Sequence, residues 1–407
     1  MNYSTLPFTL VESDTPYLLD VGQLYAQAQT LLDRRKARGL QYPLALIVTV
    51  AVLAKLAGSS RVEDVADWAT LRCRELHVLF GTKRPRMPHH TTWSRILGTA
   101  VDVTAIEHMV QQLLAPPVSA EVPDRCSIHV ALDGKTIRGT IPRGRHRGVH
   151  LLAAYVPNQG AVLFQVAVDT KENEIVAAPV LLRQLALTGM VITGDAMFTQ
   201  RALSIQIVEG GGDYLWLVEA NQPTLRADIE LLFEPAYATA GWSAPPLDVP
   251  TARTVDTGHG RLEERMLTAR SMVADYSDWP YLAQVFKLEY TAIDMQTGEI
   301  MTAVRYGVTS APATVLDAAG LLATIRGHWG IETGLHGRRD GRFQEDGMRT
   351  RTGQAPHVLA TLNNLALGLL QRQGITNVAE AQRAIAYHLD RFLQQLMPPA
   401  GCLLRAS

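Results

Sequence analysis

The sequence predicts an α/β protein in which a mixed β-sheet forms the core, a helical region precedes it and a β-rich segment interrupts it. Apolar residues recur with helical spacing up to about residue 118, and they alternate with period two in several runs within 126–235. Short β-like runs with many Thr and Gly residues cover 236–312, and helical spacing returns over 313–398, where we expect helices that complete the core. A length of 407 residues is sufficient for two or three such domains.

The N-terminal region, residues 1–118, contains amphipathic helical stretches separated by Gly, Ser and Pro. Its most apolar run, YPLALIVTVAVLAKLAG, includes Lys55 and is shorter than the ~20 apolar residues of a membrane helix, so we expect a buried core helix. In PHHTTWSR, a short helix would carry Trp93 and Arg95 into a major groove. We therefore expect this region to bind DNA by itself, the alternative being a packing or dimerisation domain.

The central region follows a Pro-rich segment, 115–124, that is typical of a linker. The strand-like runs SIHVALDG, VHLLAAYV and AVLFQVAVD are followed by alternating helices and strands, in the order β-β-β-α-β-α-β-α. Such an order suits a mixed sheet with helices on its faces. We expect residues 126–235 and 315–375 to form one sheet-centred domain, and 236–312 to form a separate β-rich module.

Composition and charge narrow the classes of function. With 38 basic and 39 acidic residues, the net charge of −1 excludes a simple polyanion-coating protein. Three cysteines are too few for a disulfide framework and fit a reducing cytoplasm. The opening segment carries acids and has no basic-then-apolar pattern, so we expect no secretory signal. DNA binding would depend on local clusters, of which one contains Arg138, Arg143, Arg145 and Arg147.

Two aspartates follow apolar strands at places where metal ligands are held rigidly. Asp133 is predicted at the end of the first strand, in ALDGKTIRG, and Asp195 at the end of the fourth, in VITGDAM. Each alone is equally consistent with a turn or helix-capping aspartate. Together they match the RNase H-like arrangement, in which the first and fourth strands are neighbours. Carboxylates in such positions suit Mg²⁺ and two-metal phosphodiester chemistry.

A third carboxylate is expected from a later helix. Glu332 has His328 four residues before it and His336 four residues after it, so a helix places the three on one face, with Arg339 at the next turn. A zinc site is the alternative, but the spacing lacks the HExxH pattern. Three further acids, Asp340, Glu345 and Asp346, lie within fifteen residues of Glu332. We expect the rigid helix to make Glu332 the ligand, and the glycines beyond it to leave the others in secondary roles.

These motifs, taken in order, resemble the H-repeat-associated group of insertion-sequence transposases within the DDE superfamily. The matching pieces are ALDGKTIRG, the NEI segment from Asn173, VITGDAM, GGDYL, ANQ, HGRLEER near His259, HWGIE and FQED. The region RRKARGLQYPLALIVTVAVLAKLAG and the P-x-x-T-x-x-R-x-L pattern are similar to that family's N-terminal region. The resemblance covers nearly the whole chain.

The resemblance implies a DDE triad of Asp133, Asp195 and Glu332 that holds two Mg²⁺ ions, with Mn²⁺ as a substitute. It also implies DNA partners, namely terminal inverted repeats and target DNA, a homodimer in the DNA complex, and a bacterial cytoplasm with the nucleoid as location. We expect DNA contacts from Lys135, the four arginines of 138–147, Trp93, Arg95, His328, Trp329, His336 and Arg339. The chain departs from the family pattern at Glu219, Ala220 and 337–339.

The sequence leaves three activities open. A transposase would nick the element ends and transfer the 3′-hydroxyl strand to target DNA. A host-adopted RNase H-like nuclease would cut without strand transfer, and an inactive DNA-binding regulator would do neither. The intact acid triad argues against the inactive protein.

Overall fold

The computed structural model describes residues 20–36, 40–114, 128–169, 173–234, 249–258, 260–271 and 277–388. The chain forms two compact units, one from residues 1–114 with 341–407 and the other from residues 115–340. The opening segment, the predicted linker at 115–124, Cys126, His259 and Cys402 lie outside the described residues.

The first unit is helical, as its apolar spacing predicts. It begins with α1 (Val21–Gln29), α2 (Leu44–Leu56), α3 (Val62–Leu71), α4 (Cys73–Phe80), α5 (His90–Thr99) and α6 (Val103–Leu114). Every residue of α2 is buried, which confirms the prediction of a core helix. Its single charged group, Lys55, donates a hydrogen bond from Nζ to the Ser60 carbonyl at 2.5 Å. Within the described ranges, no helix combines the length and the apolar character needed to cross a bilayer.

The second unit is built on one mixed sheet, to which nine strands of the described chain contribute. They are β1 (Ile128–Ile137), β2 (Val149–Val156), β3 (Ala161–Val168), β4 (Met190–Gly194), β5 (Asp213–Val218), β6 (Thr251–Gly258), β7 (Arg261–Ser271), β8 (Gln284–Asp294) and β9 (Ile300–Thr309). Their spatial order is β3-β2-β1-β4-β5-β9-β8-β7-β6. β1 pairs in parallel with β4, and β4 with β5. The predicted adjacency of the first and fourth strands is confirmed.

Three helices alternate with these strands. The helices α7 (Glu174–Leu182), α8 (Arg201–Glu209) and α9 (Pro223–Phe233) follow β3, β4 and β5 respectively. Asn173 caps α7, since its side chain accepts a hydrogen bond from the Val176 amide. The predicted order β-β-β-α-β-α-β-α is therefore confirmed.

The β-rich segment is not a separate module, and that prediction is wrong. β9 pairs with β5 in antiparallel fashion, for example Trp216 with Val308, and β8, β7 and β6 extend the sheet beyond it. The physical reason is that β5 would otherwise present a row of unpaired backbone groups as an open edge. The inserted strands cover that edge and continue the sheet of the core.

The two faces of the sheet are covered by different helices. Because successive side chains of a strand point to opposite faces, Val130 and Leu132 of β1 lie on one side and Asp133 on the other. The first face packs against α7, α8 and α9 in one apolar cluster. The second face, which includes Val191 and Leu215, packs against α10 (Ala318–His328). The aspartate side of β1 therefore faces α10.

The C-terminal helices correct a second predicted boundary. The sequence assigned 313–398 to the catalytic core, but residues from 341 onward belong to the helical unit. This part contains α12 (Ala355–Arg372) and α13 (Val378–Tyr387). α12 is buried from Ala355 to Leu370 and contacts α2, α5 and α6. An apolar helix buried on all sides needs such helical neighbours, which the N-terminal region supplies.

Candidate active site

The two predicted aspartates lie at the same level of the sheet. Leu132 of β1 pairs with Gly194 of β4, and each aspartate is the next residue after this pair. Asp195 directly follows β4, as predicted. Asp133 does not end its strand, because β1 continues to Ile137 by pairing with β2. Both acids therefore have neighbouring positions on the face that α10 covers.

The glycine before Asp195 is required by close packing. A Cβ added to Gly194 would lie 2.5 Å from Cδ2 of Phe198, well inside any real contact. Phe198 is fully buried and belongs to the apolar cluster on the opposite face. The motif TGD is thus explained locally: a small residue allows the turn after β4 to close over the core, and Asp195 follows it.

The helix after β9 has an irregular turn that sets the direction of its side chains. α10 ends at His328, residues 332–336 form a π-helical turn, and α11 (Gly337–Phe343) follows. In a regular helix His328 and His336 would be about 80° apart, since eight residues at ~100° each exceed two turns. A π-turn absorbs one extra residue and brings His336 back to about −20° from His328. Both histidines consequently face the sheet.

Each histidine contacts one aspartate. His336 Nε2 lies 3.0 Å from Asp133 Oδ2, and His328 Nε2 lies 3.6 Å from Asp195 Oδ1. Both histidines are buried. Because their rings face the carboxylates and not solvent, this burial argues against the DNA contacts predicted for them.

Glu332 occupies the helical position midway between the two histidines. It is exposed, whereas His328 and His336 are buried. Since the flanking turns contact Asp195 and Asp133, Glu332 is carried on the segment that lies over both acids. Among the described residues, the side chains do not form a cluster of three or more His, Cys, Asp or Glu groups able to hold a metal ion.

Asp195 is the more exposed of the two aspartates. Its side chain is 67% exposed. The hydrogen bond with His328 lowers the pKa of Asp195, burial opposes this, and the charges of His328 and Arg305 lower it further. A carboxylate kept ionised in this way is suited to bind a cation.

An aromatic pocket adjoins this edge. The Arg305 guanidinium lies 5.4 Å from the ring centroid of Trp329, which is 41% exposed. The cavity has a volume of about 320 Å³, and its lining residues are Glu263, Arg265, Leu288, Tyr290, Ala303, Arg305 and Trp329. Trp329, which the sequence predicted as a DNA contact, lies at the surface in the structure.

The sequence did not predict a chain of hydrogen-bonded polar groups that lies behind Asp195. Thr193 Oγ1 lies 2.8 Å from His129 Nε2 and 3.0 Å from His328 Nδ1. Burial, with the charge of His328, lowers the pKa of His129 to about 4, so this ring is neutral near pH 7. The signal in the sequence was the alternation of His129 with Asp133 on β1, and of Thr193 with Asp195 on β4.

The predicted DNA-contacting residues fall into exposed and buried groups. Arg95, Arg138, Arg143, Arg145 and Arg147 are exposed. Trp93 and Arg339 are fully buried, and this burial argues against the DNA contacts predicted for them. The Trp93 indole donates a hydrogen bond to the Pro88 carbonyl at 2.9 Å, which satisfies it inside the helical core. Lys135 forms an ion pair with Asp340 at 2.5 Å and its side chain is 10% exposed, so the structure favours a structural role over the predicted DNA contact.

Glu345, the alternative third ligand, has a structural environment in the helical unit. Its side chain is fully buried and accepts a hydrogen bond from Asn363 Nδ2 at 2.7 Å. Lys55 of α2 is electrostatically coupled to it. Asp346 lies in the same short helical turn, 345–347.

Comparison with known families identifies the class of protein. Residues 124–369 match the family model described as Transposase DDE domain, and residues 27–114 match the model described as DDE_Tnp_1-associated. The chain belongs to the Transposase DDE domain family. Its fold is accordingly the RNase H-like mixed-sheet core with a β-rich insertion and a helical N-terminal region that the sequence predicted.

Three proteins of Escherichia coli are similar to this chain over most of its length. YbfL of Escherichia coli K12 is 26% identical over 94% of this chain and 100% of its own length. YhhI of the same strain, named as an H repeat-associated candidate transposase, is 25% identical over the same shares. YncI of E. coli O157:H7 is 28% identical over 87% of this chain and 88% of its own. A piggyBac transposase synaptic complex with hairpin DNA covers 96% of this chain and 81% of its own, with 10% identity and a TM-score of 0.42.

Proposed function

We propose that the protein is a DNA transposase that nicks the ends of an insertion sequence and joins the freed 3′-hydroxyl strand to target DNA. The observation that carries this proposal is the juxtaposition of Asp133 and Asp195 on adjacent parallel strands, beneath the helical segment that bears Glu332. Family membership supports the same class of reaction.

The three carboxylates are the proposed ligands of two Mg²⁺ ions, with Mn²⁺ as a substitute. The donor chemistry fits, because carboxylate oxygens at a partly solvated edge suit a hard cation that keeps several waters. When bound, such ions activate the attacking oxygen and stabilise the leaving oxygen of a phosphodiester. His336 and His328 orient the two acids through Asp133 Oδ2 and Asp195 Oδ1, and Asp133 Oδ1 also accepts a hydrogen bond from the Gly134 amide at 2.8 Å.

The exposed basic residues are the proposed DNA contacts. Arg138, Arg143, Arg145 and Arg147 follow β1, the strand that carries Asp133, and would bind phosphates without reading sequence. The Trp329–Arg305 pocket offers an aromatic face and a cation, which suits an unstacked base with its phosphate. We propose Arg95 as a contact from the helical unit.

The proposed partners are the terminal inverted repeats and the target DNA. The helical region within 1–118 would recognise the repeats, and two copies of the chain would act together so that both element ends are processed. The reaction places the protein where bacterial DNA lies, in the cytoplasm with the nucleoid.

The test is cleavage and joining of labelled element ends by the full-length protein with Mg²⁺. The proposal expects 3′-nicking at the ends followed by joining to target DNA. Glu332→Gln should lose cleavage by at least about 100-fold while DNA binding stays unchanged, because the substitution removes a charge at nearly constant shape. Cleavage without joining would instead indicate a nuclease, and binding without cleavage by the wild type a regulator.

A further inference from the structure

A buried threonine lies between two histidines directly behind the proposed active site. Thr193 is 2% exposed and belongs to β4, two residues before Asp195. Its hydroxyl is within hydrogen-bond distance of both His129 and His328, at 2.8 and 3.0 Å. The carbonyl of Val130 lies at 3.5 Å, at the limit of a hydrogen bond. The hydroxyl is thus shared between two imidazole rings.

We propose that Thr193 is a positioning residue that fixes the His328 ring so that its Nε2–H faces Asp195. This inference rests on the proposed function only in the role given to Asp195. A threonine hydroxyl can donate one hydrogen bond and accept two, so it can satisfy His328 Nδ1 whether that nitrogen carries a proton or not. Because the Asp195 carboxylate only accepts hydrogen bonds, Nε2 carries the proton in the neutral ring, where Nδ1 is bare, and in the charged ring, where both nitrogens are protonated.

The direction of the hydrogen bonds at the Thr193 hydroxyl depends on whether His328 is neutral or charged, but Nε2 of His328 carries a proton in both cases. With a neutral His328, the Thr193 hydroxyl donates to Nδ1 and accepts from His129 Nε2–H. With a charged His328, the hydroxyl accepts from Nδ1–H and donates to a bare His129 Nε2. His328 Nε2–H donates toward Asp195 in both arrangements. His129 therefore adapts its tautomer, and the orientation of His328 does not change.

Packing holds the His129 end of this chain. A Cβ added to Gly327, the residue before His328 on α10, would lie 3.0 Å from His129 Nδ1. The strand histidine therefore fills the space that a side chain at Gly327 would take. This contact couples the position of α10 to the Thr193 hydroxyl, and partners of this kind commonly affect metal affinity or activity by ~10–100-fold.

The primary test is the tautomer of His328, read by two-bond ¹H–¹⁵N correlation spectra of metal-free, full-length protein labelled with ¹⁵N-histidine. A His328→Gln spectrum assigns the signal. We expect Nε2 to be protonated in the wild type, a mixture of tautomers in Thr193→Val, and the wild-type pattern in Thr193→Ser. A wild-type His328 without a proton on Nε2, or an unchanged pattern in Thr193→Val, would overturn the inference.

Cleavage supplies the second readout. Thr193→Val should cut at least tenfold more slowly than the wild type, and Thr193→Ser within threefold of it. Thr309→Val is the matched control, because Thr309 is also a buried strand threonine, and its hydroxyl bonds the Tyr214 backbone carbonyl at 2.6 Å. If Thr193→Val cuts like the wild type, the inference fails. If the wild type does not cut, the proposed function fails and the spectra still decide this inference.

Discussion

Glu345→Gln should lower stability and retain cleavage, whereas Glu332→Gln should leave stability nearly unchanged and abolish cleavage. Glu345 is buried, bonds Asn363 and is coupled to Lys55, whereas Glu332 is exposed. Removing one member of a buried charge pair costs ~3–5 kcal/mol when the other charge must remain. Here the cost is limited, because the pKa of Lys55 is about 8 and the amine can release its proton. Releasing it at pH 7 costs about 1.4 kcal/mol for each unit of pKa above the pH.

The expected loss for Glu345→Gln is therefore about 1–3 kcal/mol in free energy of unfolding at pH 7, with cleavage retained where the variant is folded. For Glu332→Gln, an exposed position predicts a change within ~0.5 kcal/mol and loss of cleavage. Urea titration and an end-cleavage assay on the same preparations measure both quantities. A folded Glu345→Gln that cannot cut, beside a Glu332→Gln that cuts normally, would refute the assignment of the third carboxylate.

The lowered pKa values of Lys55 and His129 predict how stability changes with pH, and the exposed arginines of 138–147 predict how DNA binding changes with salt. The folded pKa of Lys55, about 8, lies below its usual 10.5, so the unfolded state holds more protons between these values. Wild-type stability relative to Lys55→Met should then rise by up to about 3 kcal/mol from pH 8 to 10.5 in urea titrations, and a constant difference would contradict this. His129 has a folded pKa of about 4 against 6.5, so wild type should lose stability relative to His129→Gln as the pH falls from 6.5 to 4. Equal acid sensitivity of the two proteins would count against that. Replacing Arg143 and Arg145 together by Ala should weaken binding to any DNA sequence. It should also reduce the salt slope of log K by about 2, measured by fluorescence anisotropy, and an unchanged slope would exclude phosphate contacts.

The order of secondary structure and the two aspartates could be predicted because they depend on local signals. Period-two runs predicted the strands at Asp133 and Asp195, and the RNase H-like arrangement that the two acids match gave the neighbouring positions of β1 and β4. The apolar run of α2 also predicted its own burial. The strands, the helices and the burial of α2 require only the spacing of residues within about twenty positions of the chain.

The errors concern contacts between residues distant in sequence. His336 and Arg339 were predicted as DNA contacts, because no local pattern shows that they are buried. In the case of His336, the carboxylate of Asp133, 203 residues away in sequence, occupies the space beside the ring. The same applies to β9, whose pairing with β5 joins the inserted strands to the core sheet. Trp93 was assigned to DNA, but a backbone carbonyl five residues earlier satisfies its indole inside the core.

The π-turn at 332–336 lets this segment carry one residue more than a regular helix while His328 and His336 both face the sheet. A chain one residue shorter could form a regular helix in the same direction, whereas a regular helix at unchanged length would rotate everything beyond the turn by about 100°. His336 would then leave Asp133, and Lys135 would lose the register of its partner Asp340. Homologous chains that share this site should therefore keep the length between HWGIE and FQED, or lack one residue together with the π-turn.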